Sequence, residues 1–150
     1  MKKPLNTFYQ RNLRMNKFLI DTNALIRLIV KDDPNKFNII VKLVEKVEKN
    51  ELTLVIPTVV IAECCWLLKS FYKLDKRKIT EYLIDIIESE NVEVEEGNVV
   101  NALKMYSDKN VNFADSLISS KSNSKLPVLT WDKKDLKKLD CEYYRPEELL

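Results

Sequence analysis

Four carboxylates stand out by position in this 150-residue chain. Asp21 closes an apolar run in Phe18-Leu19-Ile20-Asp21-Thr22-Asn23, and Asp132 closes another in Leu129-Thr130-Trp131-Asp132. Glu63 lies between Val60 and Leu67, bordering an apolar helical stripe instead of facing open water. Asp115 opens a helix in Asn112-Phe113-Ala114-Asp115-Ser116-Leu117. Carboxylates converging at one edge repel one another, and leaving them unpaired costs on the order of several kcal/mol. A hard divalent cation, Mg²⁺ or Mn²⁺ with oxygen ligands and retained waters, removes that cost. Such an ion can activate water and stabilise charge on a phosphodiester oxygen. With 23 acids in the chain, any one of the four taken alone reads more readily as a helix cap or a solvated charge. The set of four in order is what points to a site.

The rest of the alphabet narrows the chemistry. There is no histidine, which excludes a Ser-His-Asp triad, a His general base and His-ligated zinc. Gly97 is the only glycine, so neither a G-x-G-x-x-G dinucleotide loop nor a Walker A loop exists. Cys64, Cys65 and Cys141 form no C-x-x-C; neither a disulfide framework nor a zinc ribbon is expected. Beside Glu63, the Cys64-Cys65 pair tempts a thiol or metal reading, but without a partner base buried thiols in a reducing compartment are the expectation.

These carboxylates need elements to hold them. The spacing predicts strands at Lys17–Ile20, Thr53–Ile56, Val92–Val94 and Pro127–Thr130, with a fifth at Tyr143–Tyr144. Helices are predicted at 23–31, from Pro34 to Asn50, after Pro57, after Asp75, at 98–109, 113–123 and 133–139. Asp32 and Asp33 are capping candidates before Pro34, and Asp75 caps the helix whose inner face is Ile79, Tyr82, Leu83, Ile86 and Ile87. Asn50, Asn91 and Asn110 each follow a helical run, where Asn adopts the left-handed conformation usually left to glycine. Short strands alternating with helices give an α/β sandwich around a central, mainly parallel sheet of 4–5 strands. In such a sheet ligands bind beyond the carboxyl ends of the strands, where Asp21 and Asp132 stand. Glu63 and Asp115 reach the same edge from neighbouring helices.

Leu-Ile-Asp21-Thr-Asn-Ala-Leu, Pro57 to Ala62-Glu63, Phe113-Ala114-Asp115-Ser-Leu-Ile and Leu-Thr130-Trp-Asp132, in this order, resemble the PIN-domain ribonucleases, and among them the VapC-type toxins of toxin–antitoxin pairs. The likeness spans about residues 16–145. It implies a PIN-like three-layer α/β sandwich and a Mg²⁺- or Mn²⁺-dependent endoribonuclease, holding one or two ions, that hydrolyses RNA phosphodiester bonds with a metal-activated water. It carries Asp21, Glu63, Asp115 and Asp132 over as metal-binding, catalytic carboxylates, supported by Thr22 or Asn23 and by Thr130. Asp135 lies one turn beyond Asp132 and stands as the alternative fourth acid; the strand-end position favours Asp132. Ser116 departs mildly from the Ala or Cys frequent there. A cognate antitoxin and a homodimer are implied partners. A housekeeping nuclease of RNA maturation and a silent PIN-like RNA-binding module are the alternatives. A haloacid-dehalogenase-type phosphatase wants D-x-D where Asn23 stands, and a receiver wants paired acids at that strand end.

Charge adds a rim and a tail. Residues 1–14 carry four of the 25 cations and none of the 23 acids, so the net +2 becomes −2 for the remainder. This polar stretch reads as a basic tail or a mis-assigned start before Met15, with one domain over 15–150. Lys121, Lys125, Lys133 and Lys134 surround the fourth acid, as a phosphate-binding rim or as an ordinary solvated face. Arg27 is a further candidate RNA contact or partner for a site acid, with simple surface exposure as the preferred reading. Trp66 and Phe71 are expected in the core or on an oligomer face. No apolar run approaches the roughly 20 residues that span a bilayer, so a cytoplasmic protein is expected.

Overall fold

The computed structural model describes residues 16–150; the stretch assigned above to a basic tail lies outside them. β1 (Lys17–Leu19) leads through α1 (Thr22–Ile29) and α2 (Pro34–Glu48) to β2 (Thr53–Ile56). α3 (Thr58–Ser70) and α4 (Lys76–Ile87) lead to β3 (Val92–Val94). α5 (Val99–Asp108) and α6 (Phe113–Lys121) precede β4 (Val128–Leu129) and β5 (Tyr143–Tyr144). Short polar side chains start the helices as the sequence suggests. Asp33 accepts from the Lys36 N–H with Pro34 in the first turn, Asp75 accepts from Lys78, and Asn112 accepts from Ala114.

The pairings among these strands are parallel; pairs of α-helices bridge β1 to β2 and β2 to β3, and the 3₁₀ turn Leu136–Lys138 lies between β4 and β5. β2 is central, with Lys17 opposite Thr53 on one side and Leu54 opposite Val92 on the other. β4 pairs with β5 in a separate two-stranded ladder, so the five strands form an α/β sandwich whose hydrogen-bonded ladder is divided three and two. The central strand buries Leu54 and Ile56. β1 is an exposed edge, and only Ile20, just past its end, enters the core. Leu25, Ile61, Leu68, Ile79, Leu83, Val99 and Leu103 fill that core completely. A second, smaller cluster of Val111, Leu136 and Leu139 pins the segment after β4 beneath α6. No helix among the described residues is long and apolar enough to cross a membrane.

Several expectations change. Of the two places expected for Trp66 and Phe71, the core is ruled out: both are exposed, because α3 turns Cys64, Cys65 and Leu68 inward instead. Tyr82 lies on the outer side of α4, 41% exposed, while Leu83 and Ile87 take the inner positions. The predicted helix at 133–139 shrinks to a 3₁₀ turn at Leu136–Lys138. Only Leu136 and Leu139 anchor this lysine-rich stretch, and Asp140 leaves it at φ 53°. Asn50, Asn91 and Asn110 do adopt left-handed backbone, with φ of 62°, 62° and 50°, joined by Lys73. The one glycine, Gly97, does not. All three cysteines are free.

Asn91 does two jobs at the entry to β3. Its backbone is left-handed, and its amide donates to the Val47 carbonyl at 3.0 Å and to the Asn50 side chain. Asn91→Ala loses both and is expected to destabilise by about 2 kcal/mol, whereas Asn91→Gly keeps the conformation and loses about 1 kcal/mol. Urea unfolding of the two variants checks this; equal losses would mean the backbone conformation contributes nothing.

Candidate active site

The acids gather in two halves. In the first, Asp21 follows β1 and caps α1, its Oδ1 accepting from the Thr22 N–H at 2.8 Å. Thr22 is only 5% exposed, and its hydroxyl donates to Glu63 Oε2 at 2.6 Å. Glu63 is itself exposed, contrary to its expected place beside the apolar stripe. What fixes its carboxylate is therefore Thr22, across the contact between α1 and α3. Burial pushes the neighbouring Cys64 thiol up to about 12, and the Glu63 and Asp21 charges push further in the same direction. A thiol so held stays protonated at neutral pH and is a poor nucleophile. Burial holds Cys65 high as well.

The second half forms around the first turn of α6. Burial, then the charges of Asp135 and Asp132, and then a carboxyl–carboxyl contact with Asp135, hold Asp115 above its ordinary range. Asp135 Oδ2 accepts from the Asn112 N–H at 3.1 Å, which ties the segment after β4 to the helix that carries Asp115. Asp132 is exposed, and its Oδ1 accepts from the Lys134 N–H at 3.1 Å. The Thr130 hydroxyl accepts from the Asp132 N–H at 2.9 Å, so Thr130 shapes the turn beneath Asp132. Asp135 acts on Asp115 more strongly than Asp132 does, although Asp132 stands nearer the strand end.

Packing makes the halves neighbours: α1 lies on α3, α3 on α6, and α6 on the Leu136–Lys138 turn. None of the ion pairs among the described residues involves Asp21, Glu63, Asp115, Asp132 or Asp135. Nor do any three His, Cys, Asp or Glu side chains among those residues stand close enough together to clasp an ion. The donor set nonetheless fits a hard divalent cation, being all carboxylate oxygen with a raised Asp115 whose crowding either a proton or a cation relieves.

The expected basic rim divides. Arg27 pairs with Asp32, which also accepts from the Tyr72 hydroxyl at 3.2 Å, so the acid it meets lies outside both halves. Lys121 pairs with Glu96, itself bonded to Thr58. Lys125 meets Asn123 through its backbone N–H, and Lys133 and Lys134 border Asp132. Asn23 is exposed beside Arg27 in a shallow groove between α1 and α2. One residue escaped sequence reasoning. Lys76 donates to the Val111 carbonyl at 2.7 Å, lies 4.7 Å from the Tyr106 ring centroid, and feels the Asp135 charge. Burial lowers its pKa. Nothing in Asp75-Lys76-Arg77 signals this, because its partners are remote in the chain.

A family model for the PIN domain matches residues 18–140, which contain all five acids. No curated protein matches the chain.

The raised Asp115 has a consequence for stability. Its folded form keeps a proton to higher pH than the unfolded chain does, so stability is lost as pH rises through that window. Asp115→Asn is expected to raise the melting temperature near neutral pH, with the gap closing below the ordinary carboxylate range. Thermal melts across pH check the sign; equal melting points at neutral pH would mean no charge crowding at Asp115.

Proposed function

The chain belongs to the PIN domain family, and from that premise we propose that it is a Mg²⁺- or Mn²⁺-dependent endoribonuclease acting as the toxin of a toxin–antitoxin pair. PIN domains are generally nucleases, so hydrolysis of nucleic acid is the class of reaction. The observation that carries the reading is the set of acids at the ends of β1 and β4 that no Lys or Arg among the described residues neutralises.

Asp21 and Glu63 form one wall of the site, and Asp115, Asp135 and Asp132 the other. Thr22 is the positioning residue: its hydroxyl orients one Glu63 oxygen and leaves the other for a ligand. A divalent ion bound there supplies the charge that activates water and offsets the negative charge building on the phosphate. In hydrolysis the water oxygen joins phosphorus, the bond to the 3′ oxygen breaks, and a proton ends on that 3′ hydroxyl. The 5′-phosphate is left on the other fragment. No histidine is required, since the carboxylates hold the ion and the solvent carries the proton. Asp135 takes the fourth place in this reading on the strength of its contact with Asp115.

The toxin assignment rests on the four motifs and their resemblance to VapC-type chains. It brings with it a homodimer and an antitoxin that offers a basic side chain to the acids. Free thiols, two of the three buried, suit the reducing cytoplasm.

The test is cleavage of labelled single-stranded RNA with Mn²⁺ or Mg²⁺. Asp21→Asn, Glu63→Gln and chelator are each expected to abolish cutting, and Thr22→Val to reduce it about 10- to 100-fold through metal affinity. Cutting that survives chelator and Asp21→Asn overturns the mechanism. Expression of the active chain is expected to arrest growth, relieved by the product of an adjacent upstream gene. Unimpeded growth by cells making active enzyme would support a housekeeping nuclease.

A further inference from the structure

Between the end of α3, the start of α4 and the α5–α6 connection lies an open cleft of about 440 Å³. That volume falls within the roughly 300–1,000 Å³ of small-ligand sites. Asp135 lies on its wall as well as in the acid cluster, so the cleft opens directly beside the second half of the site.

Its lining is of two kinds. Trp66 stands one turn beyond Glu63 on the same side of α3, with 66% of its surface exposed, and no aromatic ring stacks on it among the described residues. Lys69 and Lys76 line the same cleft. They are near enough that Lys69 acts on Lys76 by repulsion, and neither enters an ion pair among the described residues. Lys76 is held in place by the Val111 carbonyl and the Tyr106 ring, which leaves N–H donors unused. An open planar apolar face and two ammonium groups beside a phosphodiester site match one chemistry: an unpaired base and the phosphate it carries. A duplex would keep its bases stacked and could not offer that face.

We propose that this cleft binds one nucleotide of single-stranded RNA flanking the cleaved bond, with Trp66 stacked on the base and Lys69 and Lys76 on its phosphate. The proposal rests on the nuclease reading above and adds a residue that selects unpaired RNA.

The test is binding of a short fluorescein-labelled single-stranded RNA in chelator, which reads affinity without cleavage. Trp66→Ala is expected to weaken binding about 5- to 100-fold. Lys69→Ala is expected to flatten the salt dependence of log K by about 0.7. Both side chains are exposed, and thermal melts verify that the variants fold. With Trp131→Phe leaving Trp66 as the lone tryptophan, single-stranded RNA is expected to quench its fluorescence and the matching duplex is not. Unchanged affinity and salt slope in both variants, while Asp115→Asn still abolishes cutting, overturns the cleft and leaves the nuclease standing. A wild-type chain that neither binds nor cuts RNA overturns both. A Trp66→Ala chain that changes from dimer to monomer with unchanged RNA affinity gives this face to a second copy and also overturns the proposal.

Discussion

Mutual repulsion among carboxylates without a neutralising base is the constraint around which the molecule is arranged. Asp115, Asp132 and Asp135 crowd one helix start, and burial and like charge together keep Asp115 above its usual range. Such crowding destabilises the folded chain near neutral pH, so other contacts must hold the acids where they are. Leu136 and Leu139 pack on Val111, fastening the segment that bears Asp135, while Asp135 itself accepts from the Asn112 backbone. On the other side the buried Thr22 hydroxyl restrains Glu63. The apolar core thus counters a local electrostatic cost concentrated where the proposed cation would relieve it.

The same short polar contacts serve the fold and the site. Asp21 caps α1 through one oxygen and has a second oxygen free of that bond. Asn112 caps α6 with its side chain and anchors Asp135 with its N–H. A helix start offers unpaired N–H groups and a positive dipole end, which suit carboxylates. Reading Asp21 as a cap and as a ligand are therefore compatible. The capping bond sets the orientation that leaves the other oxygen available.

What was legible in the residues, and what was not, follows from range. Lys17–Leu19, Thr53–Ile56 and Val92–Val94 were readable because β-branched and apolar runs between helix starts leave few other options. The Asn residues at helix ends were readable because left-handed backbone is a local property. The outward turn of Trp66, Phe71 and Tyr82 was not, since a helix wide in apolar residues does not declare which stripe faces the core. The 133–139 segment lacked the apolar anchors to stay helical. In the site, the four acids stood in recognisable sequence frames. Arg27 and Lys121 find Asp32 and Glu96, and Lys76 finds Val111 and Tyr106, through tertiary contacts that spacing alone cannot display.

The absence of histidine and the single glycine are compatible with the proposed mechanism. Histidine would bring a titrating base near physiological pH, and the proposed hydrolysis, with carboxylates holding a divalent ion, would have no step that needs one. A glycine-rich loop would cradle a phosphate with backbone N–H groups. Here the strand ends present acids, so in the proposed mechanism phosphate contacts would fall to a divalent cation and to lysines set beside the acids. Lys76 illustrates the division: its ammonium is held within reach of Asp135's charge but makes its hydrogen bond to a carbonyl. Were Lys76 in a salt bridge with Asp135, it would neutralise part of the charge that the proposed cation needs. Keeping the ammonium near the acids but bonded elsewhere leaves the acids un-neutralised, as the proposed metal and RNA sites require.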